Sequence, residues 1–422
     1  MIPRHRPPFG LGPVVRSVLG NGRRPRIDEI EESFSQKLGV AHAIWLPSVR
    51  AGILWTLRAI AGPDTRVIGP AFTCKRVHEA IASSGLAWQL VDAAPNGFLM
   101  NRESLGSAQQ GTTCTVFCEV FGHVYDFSDQ SRSMAKSEQT SRILDMAGTI
   151  PNRALLARLA GNDVALVSFN GAGKCMTAGW GGIGFTRDSG LAAELRSLRD
   201  SSLRRETGRL RFTRCAKVLA QMALYGGPFY AAARRFRHRP VAPEGPVGRL
   251  PGQFGVGLDT TSGGYWHLPS TVVDRRLSQH NLMRAGDYEG KHLSDAVRYR
   301  DNLGGVAGIC LPPFSDNALS HFTIRVSAHG RSEIRRCLWQ AGVDVGTYYP
   351  FPPFLSRHEY PNAHRLSSEV LNLPLGPGFD DHDIDRISEV LIRCAGNQRH
   401  EAPVDQSSDL IRQAPPATVS YQ

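Results

Sequence analysis

The chain has 422 residues, 41% hydrophobic, 8% aromatic and 21% charged, and its 49 Lys or Arg against 38 Asp or Glu give a formal charge of +11. This composition belongs to a globular protein and excludes a fibre, a disordered chain and a small stapled scaffold. The length suits two domains, or one large α/β domain with a smaller satellite. No run reaches the roughly 18 apolar residues of a membrane span, and residues 1–26 lack the apolar core of a secretion signal, so the expected address is the cytoplasm.

The charge is local. Residues 1–26 carry six arginines and no acid, residues 195–239 carry twelve Lys or Arg against Asp200 and Glu206, and the remainder is net acidic. Eight cysteines (Cys74, Cys114, Cys118, Cys175, Cys215, Cys310, Cys337 and Cys394) sit in apolar stretches without a CxxC pair. They are expected to be reduced thiols filling the core, with no metal site.

Residues 27–38 space Ile27, Ile30, Phe34 and Leu38 as a helical stripe with acids near its start, and Gly39 ends it. The segment AHAIWLPSVRAGILWTLRAIAG then reads as a short strand, a turn at Pro47 and Ser48, and a helix stopped at Gly62. The theme repeats: strand RVIGP, a helix from about Lys75 to Ser84, strands AWQLVD and TCTVFCEVFG, a helix from about Ser131, then strands RILDMAG, DVALVSF and GGIGFT. Short apolar runs alternating with helical stretches predict an α/β fold, a mostly parallel sheet flanked by helices, with ligands at the strand C-terminal ends. From about residue 321 the pattern becomes strand, helix and further strand, followed by a turn in NLPLGPGF and an acid-capped helix, which suits a small C-terminal α+β domain. Residues 395–422 are polar with no apolar period and are expected to be a disordered tail.

Three features at strand ends carry chemistry. In SFNGAGKCMTAGWGGIGFT a strand ends at Ser168 and Phe169, and a Gly-rich loop then presents Lys174. A lysine between glycines can be approached by a flat aldehyde cofactor, because no neighbouring side chain collides with its ring; a surface hairpin with a solvated lysine fits the same residues. Asp145 ends the strand RILD behind Ile143 and Leu144, where a carboxylate is desolvated and suits a cation such as a protonated pyridine nitrogen; a helix N-cap is the other reading. The turn LPSVRAG puts Ser48, Val49 and Arg50 at a helix start, which offers either a phosphate site or a plain serine cap.

Taken in order, PSVRAG, GPAFTCKRVHEAIASSGLAWQLVDA, EVFGHVYD, ILDMAGT, SFNGAGKCMTAGWGGIGFT, YYPFPPF and LNLPLGPGFDDHDIDRI resemble the DegT/DnrJ/StrS family of sugar aminotransferases from about Pro3 to Cys394. That resemblance implies a fold-type I enzyme dependent on pyridoxal 5′-phosphate, with Lys174 as the Schiff-base lysine and Asp145 as the partner of the pyridine nitrogen. It implies that Ser168, Ser48, Val49 and Arg50 bind the phosphate and that Thr73, with Phe72 and Cys74, covers the cofactor face. The chain departs from the family at Cys74, where an aromatic residue is common, at Gly148, where Gln is frequent, and at Glu119, which stands for a histidine. Ser168 precedes Lys174 by one residue more than usual. Tyr265 and His267 fall where a loop reaching the partner subunit's cofactor bears Asn and Arg.

The implied activity moves an amino group, with glutamate the usual donor, to a nucleotide-linked keto-sugar for surface polysaccharide, lipopolysaccharide or secondary-metabolite synthesis, in a homodimer. A sugar dehydratase on the same scaffold is disfavoured by Lys174, and a binding or regulatory protein that has lost transfer is the reading from another class. The expected organisation is a basic N-terminal arm over 1–26, a cofactor-binding large domain over 27–194 and 260–300, a basic insertion over 195–259, a small domain over 301–394 and a tail over 395–422. The insertion is expected to pack on the main domain; peripheral contact of residues 195–239 with an anionic membrane is the alternative. Arginine content without a recognition fold gives no case for nucleic acid.

Overall fold

A computed structural model describes residues 1–20, 24–62, 64–109, 111, 113–127, 140–171, 173–226, 230–232 and 267–397. The helix expected from about Ser131, Tyr265, most of the insertion beyond Gly226 and the tail beyond Asn397 lie outside these residues.

Seven strands form the main sheet: β1 (His42–Leu46), β2 (Arg66–Pro70), β3 (Trp88–Val91), β4 (Thr113–Cys118), β5 (Thr140–Asp145), β6 (Val164–Ser168) and β7 (Gly182–Thr186). Their order is β1-β7-β6-β5-β4-β2-β3, and β7 alone runs against the rest. The five-residue strands β1, β2, β6 and β7 are buried almost throughout, as expected of strands covered on both faces. Parallel neighbours need a crossover, whereas antiparallel β6 and β7 can be joined directly, so the loop that carries Lys174 returns at the same sheet edge where β4 and β5 end. One apolar cluster with Phe34, Trp45, Phe117 and Phe169 covers one face, and a second with Leu54, Trp55, Leu57 and Val116 covers the other.

The second sheet pairs β8 (Phe322–Arg325) with β9 (Val370–Leu373), antiparallel, and packs with helices Ala328–Gln340 and Asp381–Asn397 around Leu338, Ile384 and Leu391. Here the structure corrects the expected further strand in VDVGTYYP: that segment makes only isolated bridges, from Val343 to Ile2 and from Gly346 to Asn372, and the second strand is Val370–Leu373. The last helix runs to Asn397, past the expected tail boundary at 395, because Ala395 is still buried. The cysteines are also corrected. Cys337 and Cys394 form a disulfide between those two helices, their Cα atoms 5.8 Å apart; the other six are free.

The arm over 1–26 is seated rather than free. Ile2 bridges Val343, Arg4 pairs with Asp344 at 2.9 Å, Arg6 pairs with Asp383, and Leu11–Leu19 is a helix against Val272–Met283. Helix Gly208–Gly226, inside the expected insertion, also packs on Val272–Met283 and buries Val218, while Phe212 stays 75% exposed. Tyr230 beyond it donates a hydrogen bond to Asp344, so the insertion reaches the small domain where the arm is tied. Among the described residues no helix is long and apolar enough to cross a membrane.

Candidate active site

Asp145 ends β5 opposite Cys118 of β4, a position that leaves its side chain 8% exposed as a residue at the C-terminal edge of the sheet. Its Oδ1 accepts the Ala147 N–H at 3.0 Å, and Cys118 Sγ lies 3.8 Å from Oδ2. Burial pushes this carboxyl above the usual range, while the positive charge of Lys174 and the Ala147 N–H pull the other way. The carboxylate thus holds the turn after β5 with one oxygen, and no helix starts there for it to cap.

Lys174 sits half-buried in the loop between β6 and β7, and its Nζ makes no hydrogen bond or ion pair among the described residues. Its charge acts on Asp145, Cys74, Cys175, His5 and His321, so these groups gather around it. The loop is held open by its own contacts: Asn170 Oδ1 accepts the Gly181 N–H at 2.8 Å and Thr177 Oγ1 donates to Lys174 O at 2.9 Å.

Ser48 caps helix Val49–Ile60, its Oγ accepting the Ala51 N–H at 3.1 Å. The first two helical N–H groups, those of Val49 and Arg50, have no partner within a helix. Ser168 of β6 is paired with Gly182 of β7, and a Cβ at Gly182 would stand 3.3 Å from Val49 N. Glycine at 182 thus keeps the Ser48–Val49 peptide uncrowded, and Ser168 Oγ accepts the Asn170 N–H at 3.2 Å. The positive end of helix Val49–Ile60 and a nearby hydroxyl suit a phosphate.

Other expected residues are placed differently. The Arg50 guanidinium is buried and donates to Glu79 at 2.9 Å; Glu79 also takes Arg76 at 2.7 Å and Lys75 at 3.7 Å. Phe72 and Thr73 are buried, with Phe72 edge-on to Phe121 and Tyr349. Cys74 caps helix Lys75–Ser83 beside them, and burial raises its thiol pKa. His267 is bound at Nδ1 to Ser202 O, 2.8 Å away, and within one chain it is not brought to Lys174. Glu119 is buried and held by Arg158 at 2.7 Å and by the Thr149 hydroxyl at 3.1 Å.

Sequence reasoning missed the aromatic groups. His5 from the arm, His321 before β8, and Tyr348 converge near Lys174, and Tyr349 stacks on Phe121 with ring centres 5.5 Å apart. The YYP motif was the one available signal.

A family model described as the DegT/DnrJ/EryC1/StrS aminotransferase family matches residues 15–218 and 277–392. The chain belongs to this family. It is an aminotransferase of fold type I that depends on pyridoxal 5′-phosphate. It is 24% identical over 394 residues to the erythromycin biosynthesis sensory transduction protein EryC1 of Saccharopolyspora erythraea, covering 89% of this chain and 93% of that one. Its fold is similar to that of S. venezuelae DesV in complex with a ketimine intermediate (TM-score 0.66, 22% identity, 91% and 93% of the two chains). It is also similar to the putative sugar aminotransferase Spr1654 of Streptococcus pneumoniae in its PMP form (TM-score 0.70, 18% identity, 94% and 100%). The two family segments leave out residues 219–276, which hold much of the basic insertion. The buried Asp145, Lys174 and the start of helix Val49–Ile60 are the residues that would meet the cofactor's ring nitrogen, aldehyde and phosphate in turn.

Proposed function

We propose that this chain transfers an amino group from glutamate to a keto-sugar carried on a nucleotide, in making sugars for a surface polysaccharide, a lipopolysaccharide or a secondary metabolite. The observation that carries the reading is the meeting of Lys174, Asp145 and the Val49–Ser168 donor set at one edge of the sheet. When bound, the cofactor supplies an aldehyde that condenses with primary amines and a cationic ring that draws electrons from the carbon bearing the amine.

Lys174 Nζ is the amine that would hold the cofactor at rest and, as a free amine, would serve as the base that moves the proton of the reacting carbon. Asp145 keeps a proton on the ring nitrogen, and that proton gives the buried carboxylate its missing counter-charge. Val49 N–H, Arg50 N–H and Ser168 Oγ hold the phosphate, with Ser48 fixing the helix start. Phe72 and Thr73, both buried, would lie against the ring of a bound cofactor, where Cys74 supplies no aromatic cover. The protein works as a cytoplasmic homodimer in which the Tyr265–His267 loop serves the partner subunit's cofactor.

The test is borohydride reduction of the protein loaded with pyridoxal 5′-phosphate, followed by peptide mass mapping and exposure to glutamate and keto-sugars. The expected result is a covalent adduct at Lys174, absent in Lys174→Ala, and bleaching of the visible band by glutamate. A wild type that takes up no cofactor, or is labelled elsewhere, overturns the assignment. The departures at Cys74 and Gly148 motivate one other reading, a binding protein without transfer; cofactor uptake without bleaching by glutamate would favour it.

A further inference from the structure

Three rings beside Lys174, those of His5, His321 and Tyr348, are not among the groups assigned above to the cofactor. The His321 ring lies 5.3 Å from that of His5 and 5.4 Å from that of Tyr348, and His5 Nε2 shares a 2.8 Å hydrogen bond with the Tyr348 hydroxyl. The His321 side chain is fixed at one end only: Nδ1 is 3.1 Å from Ser320 Oγ, while Nε2 is buried with no hydrogen-bond partner. The residue is 6% exposed, and Lys174 acts electrostatically on both imidazoles, which puts them at the reacting end of the site.

We propose that His321 Nε2, with the His5–Tyr348 pair beside it, binds a hydroxyl of the acceptor sugar and so selects sugar over keto acid at this site. The inference rests on the reading of the acceptor as a keto-sugar. A buried nitrogen without a partner costs about 1–3 kcal/mol, so its presence calls for a ligand that satisfies it. The chemistry of that ligand follows from the ring. If the Ser320 hydroxyl donates to Nδ1, Nε2 carries the proton and donates; if the tautomer is reversed, Nε2 accepts. A hydroxyl answers either case, whereas a carboxylate can only accept.

The charge around the cluster points the same way. Burial is the main cause that lowers the His321 pKa to about 3 and that of His5 well below its ordinary value, so both rings are neutral at working pH. The two arginines nearby are committed, Arg4 to Asp344 and Arg6 to Asp383, and Lys174 serves the cofactor. A carboxylate placed against this neutral wall would lose its hydration without a counter-charge from the wall itself.

The test compares wild type, His321→Leu, His321→Gln and Tyr348→Phe, each loaded with cofactor and aminated with glutamate. Single-turnover reactions are followed with 2-oxoglutarate and with a panel of UDP- and dTDP-linked 3-keto and 4-keto hexoses. His321→Leu is expected to raise the apparent Kd for the keto-sugar tenfold or more and to change the 2-oxoglutarate reaction less than twofold, with His321→Gln recovering part of the loss. A second readout needs no turnover. In calorimetry, the Lys174→Ala protein should bind the nucleotide-linked sugar more tightly than the bare nucleoside diphosphate, and His321→Leu in that background should erase the difference. Equal losses on both substrates, or none on either, overturn the role of His321 and leave the transferase reading intact. A wild type that reacts with 2-oxoglutarate and with no keto-sugar overturns the sugar reading and the inference with it.

Discussion

Gly173 offers a sharp test of whether the N-terminal arm is a wall of the Lys174 loop. Its φ is +91°, and a Cβ built there would stand 2.6 Å from His5 Nδ1 and 3.0 Å from Nε2, with Cε1 nearer still. Gly173→Ala therefore meets two costs. The left-handed backbone costs roughly 1–2 kcal/mol for a residue with a Cβ. Relieving the clash costs about 1–3 kcal/mol more, either as overpacking or as displacement of His5 from the Tyr348 hydroxyl. Gly171 supplies the control, since its φ is +89° and a Cβ there meets nothing within 4 Å. Gly171→Ala should show the backbone cost alone. Unfolding in urea, read by tryptophan fluorescence, gives the two values. The expected difference is about 1–3 kcal/mol, and it should vanish in a His5→Ala background because the clashing ring is gone. Borohydride trapping at Lys174 should fall in Gly173→Ala and recover in the double variant. Equal costs at 171 and 173, to within about 0.5 kcal/mol, or no relief from His5→Ala, would show that the arm is not seated against this loop.

Asp274 and the disulfide give two further expectations. Asp274 is fully buried in a capping box, Oδ2 taking the Thr271 N–H at 2.7 Å and hydroxyl at 2.9 Å, and burial lifts its pKa to about 6 against the pull of those bonds and of Arg214. Because the folded value is the higher one, its contribution is full below the unfolded pKa and is lost as pH rises through about 6; the stability of wild type relative to Asp274→Asn should fall by about 2.5 kcal/mol between about pH 4 and 7.5, and a flat difference refutes it. The Cys337–Cys394 disulfide closes a sequence separation of 57, worth up to about 4 kcal/mol in the chain-entropy account, so Cys394→Ser should lower stability toward that amount, and thiol titration of the unfolded wild type should count six thiols rather than eight.

The strands of the main sheet were legible because each is a short run of Val, Ile, Leu and Phe ended by a turn, and such runs carry their own signature. Asp145 and Lys174 were legible for a related reason: a charge at the end of an apolar strand, or between glycines, stands out against its neighbours. What escaped depends on partners far along the chain. Nothing around Arg50 announces Glu79, nothing in MIPRHR announces that His5 will meet Tyr348, and the two bridged cysteines sit in separate helices with no shared motif. Val370–Leu373 is a strand because Phe322–Arg325 supplies its edge, and the neighbouring VDVGTYYP, no less apolar, bends away to place its tyrosines against Phe121 and His5.

The departures from the family pattern around Asp145 are one packing arrangement. A side chain at Gly148 would place its Cβ 3.3 Å from Glu119 O, from Gly122 N and from Ser320 Oγ. The room that a glutamine would occupy is thus taken by the turn after β4 and by the segment entering β8. That turn is held by Glu119, buried against Arg158 and Thr149, and it sets Phe121 at φ +59°, where the ring stacks on Tyr349 within 4° of parallel. A non-glycine residue in that conformation costs on the order of 1 kcal/mol and persists only where the surroundings fix it. Ser320, which closes the space over Gly148, is the group that orients His321. The tight space at Gly148 and the placement of the His321 imidazole therefore meet at one group, the Ser320 hydroxyl.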